Sequence, residues 1–207
     1  MRQLIGTKLI YSDLDSGYMR GREIFEKYKF IFVFFVAILN VFPVKLRKKI
    51  LVAVRKKRGK IGMGMRYVLL KSISPKIGDN VSVHEDVYLF FPENLEIGSN
   101  VSIHPMSYID ACGGIQIGND VSIAHATSIL SSSHLYDNCE IPINNQGVVM
   151  KETVIGNDVW IGSKATILYG VNVGDGCIVG ANSLVNKSIE PFHMVGGVPA
   201  RILKGRK

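Results

Sequence analysis

Residues 157–189 read NDVWIGSKATILYGVNVGDGCIVGANSLVNKSI, and an aliphatic side chain returns at every sixth position of this stretch. The positions are Ile161, Ile167, Val173, Val179 and Val185. An α-helix repeats near every 3.6 residues and a half-buried strand near every 2, so neither element explains a period of six. A six-residue period is instead a signature of the parallel β-helix, in which each hexad forms one short strand and a corner.

The same register continues upstream of this stretch. Ten further positions belong to it and all are Ile, Val or Leu, namely Ile77, Val83, Leu89, Ile97, Ile103, Ile109, Ile117, Ile123, Ile129 and Ile155. Gly, Asn and Asp follow where a corner needs a positive φ, as in GDN, GSN and GND. The sequence therefore predicts a mainly β domain, a parallel β-helix over residues 75–190, with three hexads to a coil and coils stacked about 4.8 Å apart.

One long interruption separates Ile129 from Ile155. The hexad that begins at Ile129 runs to His134, which leaves residues 135–154 as an excursion without hexad character. Long loops in an otherwise regular domain are usually functional. The excursion is therefore predicted to contribute to a functional site.

Charge divides the chain of 207 residues into two parts. Residues 1–76 hold 18 Lys and Arg against 4 Asp and Glu, whereas residues 77–207 hold 7 against 13. This division argues against reading the overall net charge of +8 as nucleic-acid binding by the whole chain.

The three cysteines form no CxxC pair, which excludes a disulfide scaffold and a structural zinc site of the usual spacing. Residues 1–22 lack the apolar core of a signal peptide, so a cytoplasmic protein is expected.

Residues 1–74 precede the repeat and are predicted to form a helical region. Residues 30–42 (FIFVFFVAILNVF) are nearly all apolar, but thirteen residues are fewer than the roughly 20 needed to cross a bilayer. Residues 45–60 then carry nine Lys and Arg around an apolar ILVAV. This pair predicts that residues 23–60 lie on an anionic membrane surface. The alternative is a helical region that packs on the β-helix with its charges in solvent.

Residues 75–207 resemble the left-handed β-helix acyltransferases of the hexapeptide-repeat class. The resemblance rests on residues 157–189, on the ending GGVPARILKG (196–205) and on a His at the mouth of the excursion, in SSSHLYDN (131–138). The chain is most similar to the galactoside, maltose and xenobiotic acetyltransferase branch, and in layout to the O-acetyltransferases of bacterial capsules and exopolysaccharides. The resemblance implies a left-handed coil and a homotrimer, with acetyl-CoA as co-substrate between neighbouring subunits and no metal.

The resemblance also implies roles for particular residues. His134 matches the general base on the acceptor hydroxyl, and imidazole suits this role because it titrates near working pH. The backbone N–H of Ser163 matches the donor to the oxyanion. The remaining matches are to CoA-binding positions, which here are Trp160, Gly162, Ala181, Asn186 and Lys187, together with Arg201 and Lys204 in a C-terminal segment, residues 191–207.

Acceptor contacts are assigned to His104, Asp110 and Asp137, and Asp137 is also placed to orient His134. The implied activity is transfer of an acetyl group to a sugar hydroxyl of a surface glycan or its precursor. Two other activities stay open. A small-molecule acetyltransferase would act on a free sugar, serine or an antibiotic, and a hydratase of the same fold would hold a metal at the stacked His84 and His104. A scaffold without chemistry is a further alternative.

Overall fold

Short parallel strands stack into three sheets that form the sides of a prism. The structure is a computed structural model that describes residues 21–206. Residues 1–20, where the helical region and the absence of a signal peptide were predicted, lie outside the described residues, and so does Lys207. Sheet A comprises β1 (Lys76–Ile77), β4 (Leu95–Ile97), β7 (Ile115–Ile117), β12 (Thr153–Ile155) and β15 (Asn172–Val173). Sheet B comprises β2 (Ser82–Val83), β5 (Ser102–Ile103), β8 (Ser122–Ile123), β13 (Trp160–Ile161), β16 (Ile178–Val179), β18 (His193–Gly196) and β19 (Arg201–Gly205). Sheet C comprises β3 (Tyr88–Phe90), β6 (Tyr108–Asp110), β9 (Ser128–Leu130), β14 (Thr166–Ile167) and β17 (Leu184–Val185).

The hexad positions line the interior of this prism. Fourteen of the fifteen are buried, and Leu89 is partly buried against the same core. Equivalent positions of successive coils are paired directly, as Ile97 is with Ile117 and Ile123 is with Ile161. Each aliphatic side chain therefore packs on its counterpart in the next coil, which is why the sequence repeats with a period of six. The predicted mainly β, parallel β-helix is confirmed.

The corners between sheets A and B explain the Gly, Asn and Asp of the repeat. Asn80, Asn100 and Asp120 have φ of 53°, 59° and 57°, in the left-handed region that Asn and Asp tolerate. Nδ2 of Asn80 donates to Oδ1 of Asn100 at 3.1 Å, and Nδ2 of Asn100 donates to Oδ1 of Asp120 at 2.9 Å. A Cβ on Gly78 would lie 2.5 Å from the carbonyl carbon of Gly98. The corner therefore requires a glycine where successive coils approach, and then a residue that accepts positive φ.

The chain leaves the prism between β9 and β12 as an antiparallel hairpin. Its stem pairs β10 (Ser132–His134) with β11 (Val148–Met150), so that His134 lies opposite Val148. The sequence pattern began the excursion at residue 135, whereas in the structure the stem begins three residues earlier and sheet A resumes at Thr153. The small polar residues before His134 fit a hexad as well as they fit a hairpin strand, so periodicity alone did not reveal the departure.

Three helices precede the first coil, namely α1 (Gly21–Asn40), α2 (Val44–Ala53) and α3 (Gly59–Ile73). α3 contacts β1 and β2, and both other helices pack on it. Phe25 stacks on Phe32 with ring centroids 5.5 Å apart and meets the edge of Tyr67 at 5.3 Å, so an aromatic cluster joins α1 to α3. The predicted N-terminal helical region is confirmed.

A buried arginine ties the helices to the β-helix. Arg66 on α3 is 1% exposed, and its Nε donates to the carbonyl of Val83 in β2 at 2.8 Å. Its Nη1 donates to the carbonyls of Val54, Arg55 and Lys57, which follow α2, at 3.1, 3.3 and 2.7 Å. Carbonyls at the end of a helix have no partner within the helix, so one side chain satisfies several of these groups.

Replacing Arg66 with methionine is expected to destabilise the protein by about 3 kcal/mol, because the buried carbonyl of Val83 and the partly buried carbonyls after α2 lose a charged donor. This corresponds to a fall of roughly 6–12 °C in the midpoint of thermal unfolding, measured by circular dichroism. The matched control is Arg58→Met, which removes an exposed arginine whose side chain makes no capping hydrogen bond to α3. Equal midpoints for the two variants would contradict the assigned role of Arg66.

Candidate active site

His134 ends the first strand of the hairpin stem, and its side chain is exposed. Alternate residues of a strand face the same side, so His134 shares its face with Ser132. Oγ of Ser132 donates to Oδ2 of Asp110 at 2.7 Å. The imidazole therefore lies on the side of the stem that carries the Asp110 carboxylate. Within residues 21–206 neither ring nitrogen of His134 is hydrogen-bonded, so the predicted pairing with Asp137 is not made in this structure.

The Asp110 carboxylate is held in place at the corner between sheets C and A. Its Oδ1 accepts the backbone N–H of Cys112 at 3.2 Å. The backbone carbonyl of Asp110 accepts a hydrogen bond from Oγ of Ser131 at 2.6 Å, which ties the start of the hairpin to β6. Ser132 was not among the residues predicted from sequence. Its spacing of two residues before His134 is the signal that could have identified it.

Ser163 lies at a different corner, between sheets B and C. The residue before it, Gly162, has no room for a side chain, because a Cβ would lie 2.6 Å from the backbone nitrogen of Ala181 in the next coil. The backbone N–H of Ser163 donates no hydrogen bond within the described residues, whereas its carbonyl accepts the N–H of Asn182 at 2.9 Å. The equivalent position in the second coil is Pro105, which has no N–H to donate. The fold therefore does not need the backbone N–H at this corner, and in the described structure that of Ser163 is not used by the fold.

Trp160 and the C-terminal hairpin share sheet B. The indole of Trp160 is 53% exposed on the outer face of β13, beside Ile178. The last two strands, β18 and β19, pair antiparallel at the end of this sheet and place Arg201 opposite Gly196. Lys204 is exposed on the same strand as Arg201. An exposed aromatic surface and two cations thus lie on one side of the prism.

A single chain does not bring all the predicted residues together. His134 and Asp110 lie at the corner between sheets C and A, and so do Asn186 and Lys187, which follow β17. The oxyanion donor and most of the CoA-binding positions lie instead on sheet B or at its corner with sheet C, namely Trp160, Gly162, Ser163, Ala181, Arg201 and Lys204. Asp137 lies in the hairpin, beyond the stem. The predicted residues thus form two half-sites on different edges of the prism.

His84 and His104 stack across two coils at the corner between sheets B and C. Their ring centroids are 4.7 Å apart and their planes differ by 11°. Burial, followed by the neighbouring His104, lowers the pKa of His84. Parallel rings direct their nitrogen lone pairs side by side instead of towards one point. No group of three or more His, Cys, Asp and Glu side chains in residues 21–206 is arranged to hold a metal ion.

Comparison with known proteins identifies the repeat. The model of the bacterial transferase hexapeptide family (six repeats) matches residues 152–187. Chloramphenicol acetyltransferase of Agrobacterium fabrum is 54% identical over 55 residues, which make up 27% of this chain and 26% of that protein. The chain thus spans about a quarter of the length of the chloramphenicol acetyltransferases that it matches.

Two sugar-related relatives match other lengths of the chain. Galactoside O-acetyltransferase of Escherichia coli K12 is 33% identical over 139 residues, which cover 67% of this chain and 68% of that protein. The protein WbbJ of the same organism, named for O-acetyl transfer in lipopolysaccharide biosynthesis, is 42% identical over 64 residues, covering 31% of this chain and 33% of that protein.

Solved structures share the fold. A hexapeptide-repeat acetyltransferase of Vibrio cholerae O1 biovar eltor, complexed with acetyl-CoA, superposes with a TM-score of 0.70 at 28% identity, covering 78% of this chain and 85% of that one. A galactoside acetyltransferase in complex with coenzyme A superposes with a TM-score of 0.71 at 30% identity, covering 79% of this chain and 81% of that one. Repeat, extended sequence identity and fold agree, and the chain therefore belongs to the hexapeptide-repeat acetyltransferase family.

Proposed function

We propose that this protein is an acetyl-CoA-dependent O-acetyltransferase that modifies a sugar hydroxyl of a bacterial surface glycan or its precursor. The observation that carries the proposal is His134, an exposed imidazole on a hairpin that leaves the β-helix beside the anchored Asp110. Relatives named for galactoside acetylation and for lipopolysaccharide biosynthesis support a sugar as the acceptor.

The donor fits the half-site on sheet B. Acetyl-CoA supplies the activated thioester, a pantetheine arm and phosphates. The exposed indole of Trp160 offers an apolar wall for the arm, and Gly162 lets this corner pack closely against the backbone of Ala181 in the next coil. Arg201 and Lys204 on β19 offer cations to the phosphates. At the other half-site, Asn186 and Lys187 provide an amide and a further cation for the same ligand.

The chain's own groups supply a base and an oxyanion donor. His134 takes the proton of the acceptor hydroxyl as the hydroxyl oxygen attacks the thioester carbonyl carbon. The backbone N–H of Ser163 donates to the carbonyl oxygen as negative charge develops there. The C–S bond then breaks, and His134 returns its proton to the leaving sulfur. The products are an O-acetyl ester and coenzyme A with a free thiol. Asp110, Asp137 and His104 are the proposed acceptor contacts.

We propose a homotrimer, and the placement of these groups supports it. The base and the oxyanion donor lie on different edges of one prism, so a complete site needs an edge from each of two neighbouring subunits. Closed threefold symmetry forms three such sites from one kind of contact. We place the enzyme in the cytoplasm, where acetyl-CoA is made and used.

A small-molecule acceptor is the second candidate function. The local identity of 54% to chloramphenicol acetyltransferase favours it, because the matched stretch is more similar than any sugar-related match described above. This candidate predicts turnover with soluble acceptors such as chloramphenicol or a free galactoside. The surface-glycan proposal predicts turnover that needs an oligosaccharide repeat unit.

The proposal is tested by calorimetry with acetyl-CoA and by release of coenzyme A in the presence of purified glycan acceptors. Coenzyme A should be quantified by chromatography, because Cys139 is exposed and would react with a thiol reagent. We expect saturable binding of acetyl-CoA and acceptor-dependent release of coenzyme A. Failure to bind acetyl-CoA would contradict the proposed activity. Binding with turnover only on small molecules would favour the second candidate.

A further inference from the structure

One face of α1 exposes a row of large apolar side chains. On α1, Phe30, Phe34 and Ile38 recur at helical spacing and are 71%, 61% and 41% exposed. Val41, in the turn that follows the helix, is 82% exposed. The opposite face of α1 packs against the core through Phe25 and Phe32, which belong to the aromatic cluster. The helix is therefore apolar on both sides, and the outer side has no partner within the described chain.

The apolar row continues around the turn that follows α1. Val33 on α1 and Phe42 in the turn after it are 57% and 44% exposed, and together with Phe30, Phe34, Ile38 and Val41 they form what we call the apolar ridge. Its helical part, from Phe30 to Ile38, runs for about 12 Å, eight steps of 1.5 Å each. Isolated exposed apolar residues are ordinary, but a contiguous patch of this kind marks an interaction surface. Among the residues that the structure describes, no helix is long and apolar enough to cross a membrane.

Basic side chains adjoin the apolar ridge. α2 follows the ridge after a short turn and exposes Lys45 and Lys49, one helical turn apart, and Lys56 is exposed in the turn after the helix. The exposed Val52 lies between them, so this face combines cations with apolar groups. No Asp or Glu occurs in residues 27–78, whereas fourteen Lys and Arg do. Glu93 pairs with Lys48 of α2 at 2.7 Å, whereas no ion pair in the described structure involves Lys45 or Lys49, so the charge beside the ridge is mainly positive.

We propose that the apolar ridge and the exposed lysines of α2 dock the protein onto an anionic membrane surface. An amphipathic helix binds in this way when its apolar face enters the headgroup boundary and its cations meet anionic lipids. A second copy of the chain is a poorer occupant, because a contact between two such faces would bring like charges together. The ridge lies on the helices and contains none of the residues assigned to acetyl transfer, so this binding does not depend on the activity.

The first test is sedimentation of the purified full-length protein with vesicles. Vesicles of phosphatidylcholine alone are compared with vesicles that contain about 30% phosphatidylglycerol, at about 50 and 500 mM NaCl. We expect binding to the anionic vesicles that weakens at high salt. The variant Phe30→Ser/Phe34→Ser should bind at least about tenfold more weakly. The variant Lys45→Gln/Lys49→Gln should lose about fivefold per lysine.

Matched controls separate docking from general changes in the surface. Ile141→Ser/Ile143→Ser removes two exposed apolar side chains of the hairpin, and Lys76→Gln/Lys151→Gln removes two exposed lysines outside the helices. Both should bind like wild type. Equal binding of the ridge variant and its control would overturn the proposal, and so would a lack of binding by the wild type. A change of oligomeric state in the ridge variant, without any vesicle binding by wild type, would assign the ridge to a contact between copies instead.

A second measurement locates the ridge directly. The chain has one tryptophan, Trp160, so Phe34→Trp adds a single new fluorophore on the ridge. On anionic vesicles we expect a blue shift and quenching by brominated lipid acyl chains in this variant, with neither change in wild type. A fluorescence spectrum of Phe34→Trp that vesicles leave unchanged would show that the ridge stays in water, and would overturn the proposal.

Discussion

Replacing His134 with alanine is expected to lower kcat by about 10²–10⁴-fold and to leave the Kd for acetyl-CoA within about twofold of wild type. The imidazole is exposed and makes no hydrogen bond within the described chain, so its loss removes no packing and no partner. A base that acts on the acceptor hydroxyl contributes to the transition state and not to binding of the donor. The measurement is steady-state release of coenzyme A with a glycan acceptor, beside calorimetry with acetyl-CoA.

Two further variants make this result specific. His134→Gln keeps a polar side chain but cannot serve as a base near neutral pH, so it should be as inactive as alanine. Tyr136→Phe alters an exposed side chain two residues further along the same hairpin and should keep wild-type kcat. A kcat for His134→Ala within about threefold of wild type would show that another group takes the proton.

The hexad register made most of the fold predictable. A buried position that recurs at every coil is a strong constraint, because any polar residue there would lose its solvation. Ile123 and Ile161, for example, follow the same rule across the 38 residues that separate them, although the hairpin lies between. Sequence could not give the start of the hairpin, since the serines of β10 suit a corner as well as a strand. It also could not show that the helix containing Phe30 has two apolar faces and a core partner on only one.

The sequence proposed residues for the candidate site but could not give their arrangement, and their roles remain predictions. Position in the hexad tells which side of the prism a residue occupies, and the motif around Ser163 is local to one corner. In the proposed trimer, His134 and Ser163 come together through contact between chains, which a single sequence does not encode in any short pattern. Ser132 was missed because its role, a hydrogen bond to Asp110, joins residues 22 positions apart.

Replacing Ser163 with proline is expected to lower kcat by about 10²–10³-fold, because it removes the backbone donor, a loss of roughly 3–4 kcal/mol in the transition state. The fold should tolerate the change. Pro105 already occupies the equivalent corner of the second coil, and the residues that follow the two positions, Lys164 and Met106, have φ of 58° and 62°. Ser163→Ala keeps the N–H and should retain near wild-type kcat. Equal losses in both variants would instead assign the effect to the hydroxyl.

Combining the two inactive variants tests whether one site is shared by two chains. If His134 and Ser163 of a site come from neighbouring subunits, co-expressed His134→Ala and Ser163→Pro chains regain activity. Half of the subunits keep His134 and the other half keep Ser163. A site in a randomly mixed trimer is therefore intact in about a quarter of cases, and kcat per subunit should reach about a quarter of wild type. Each variant expressed alone is the control. If both groups of a site came from one chain, every site in the mixture would lack one of them, and activity would stay at the level of the single variants.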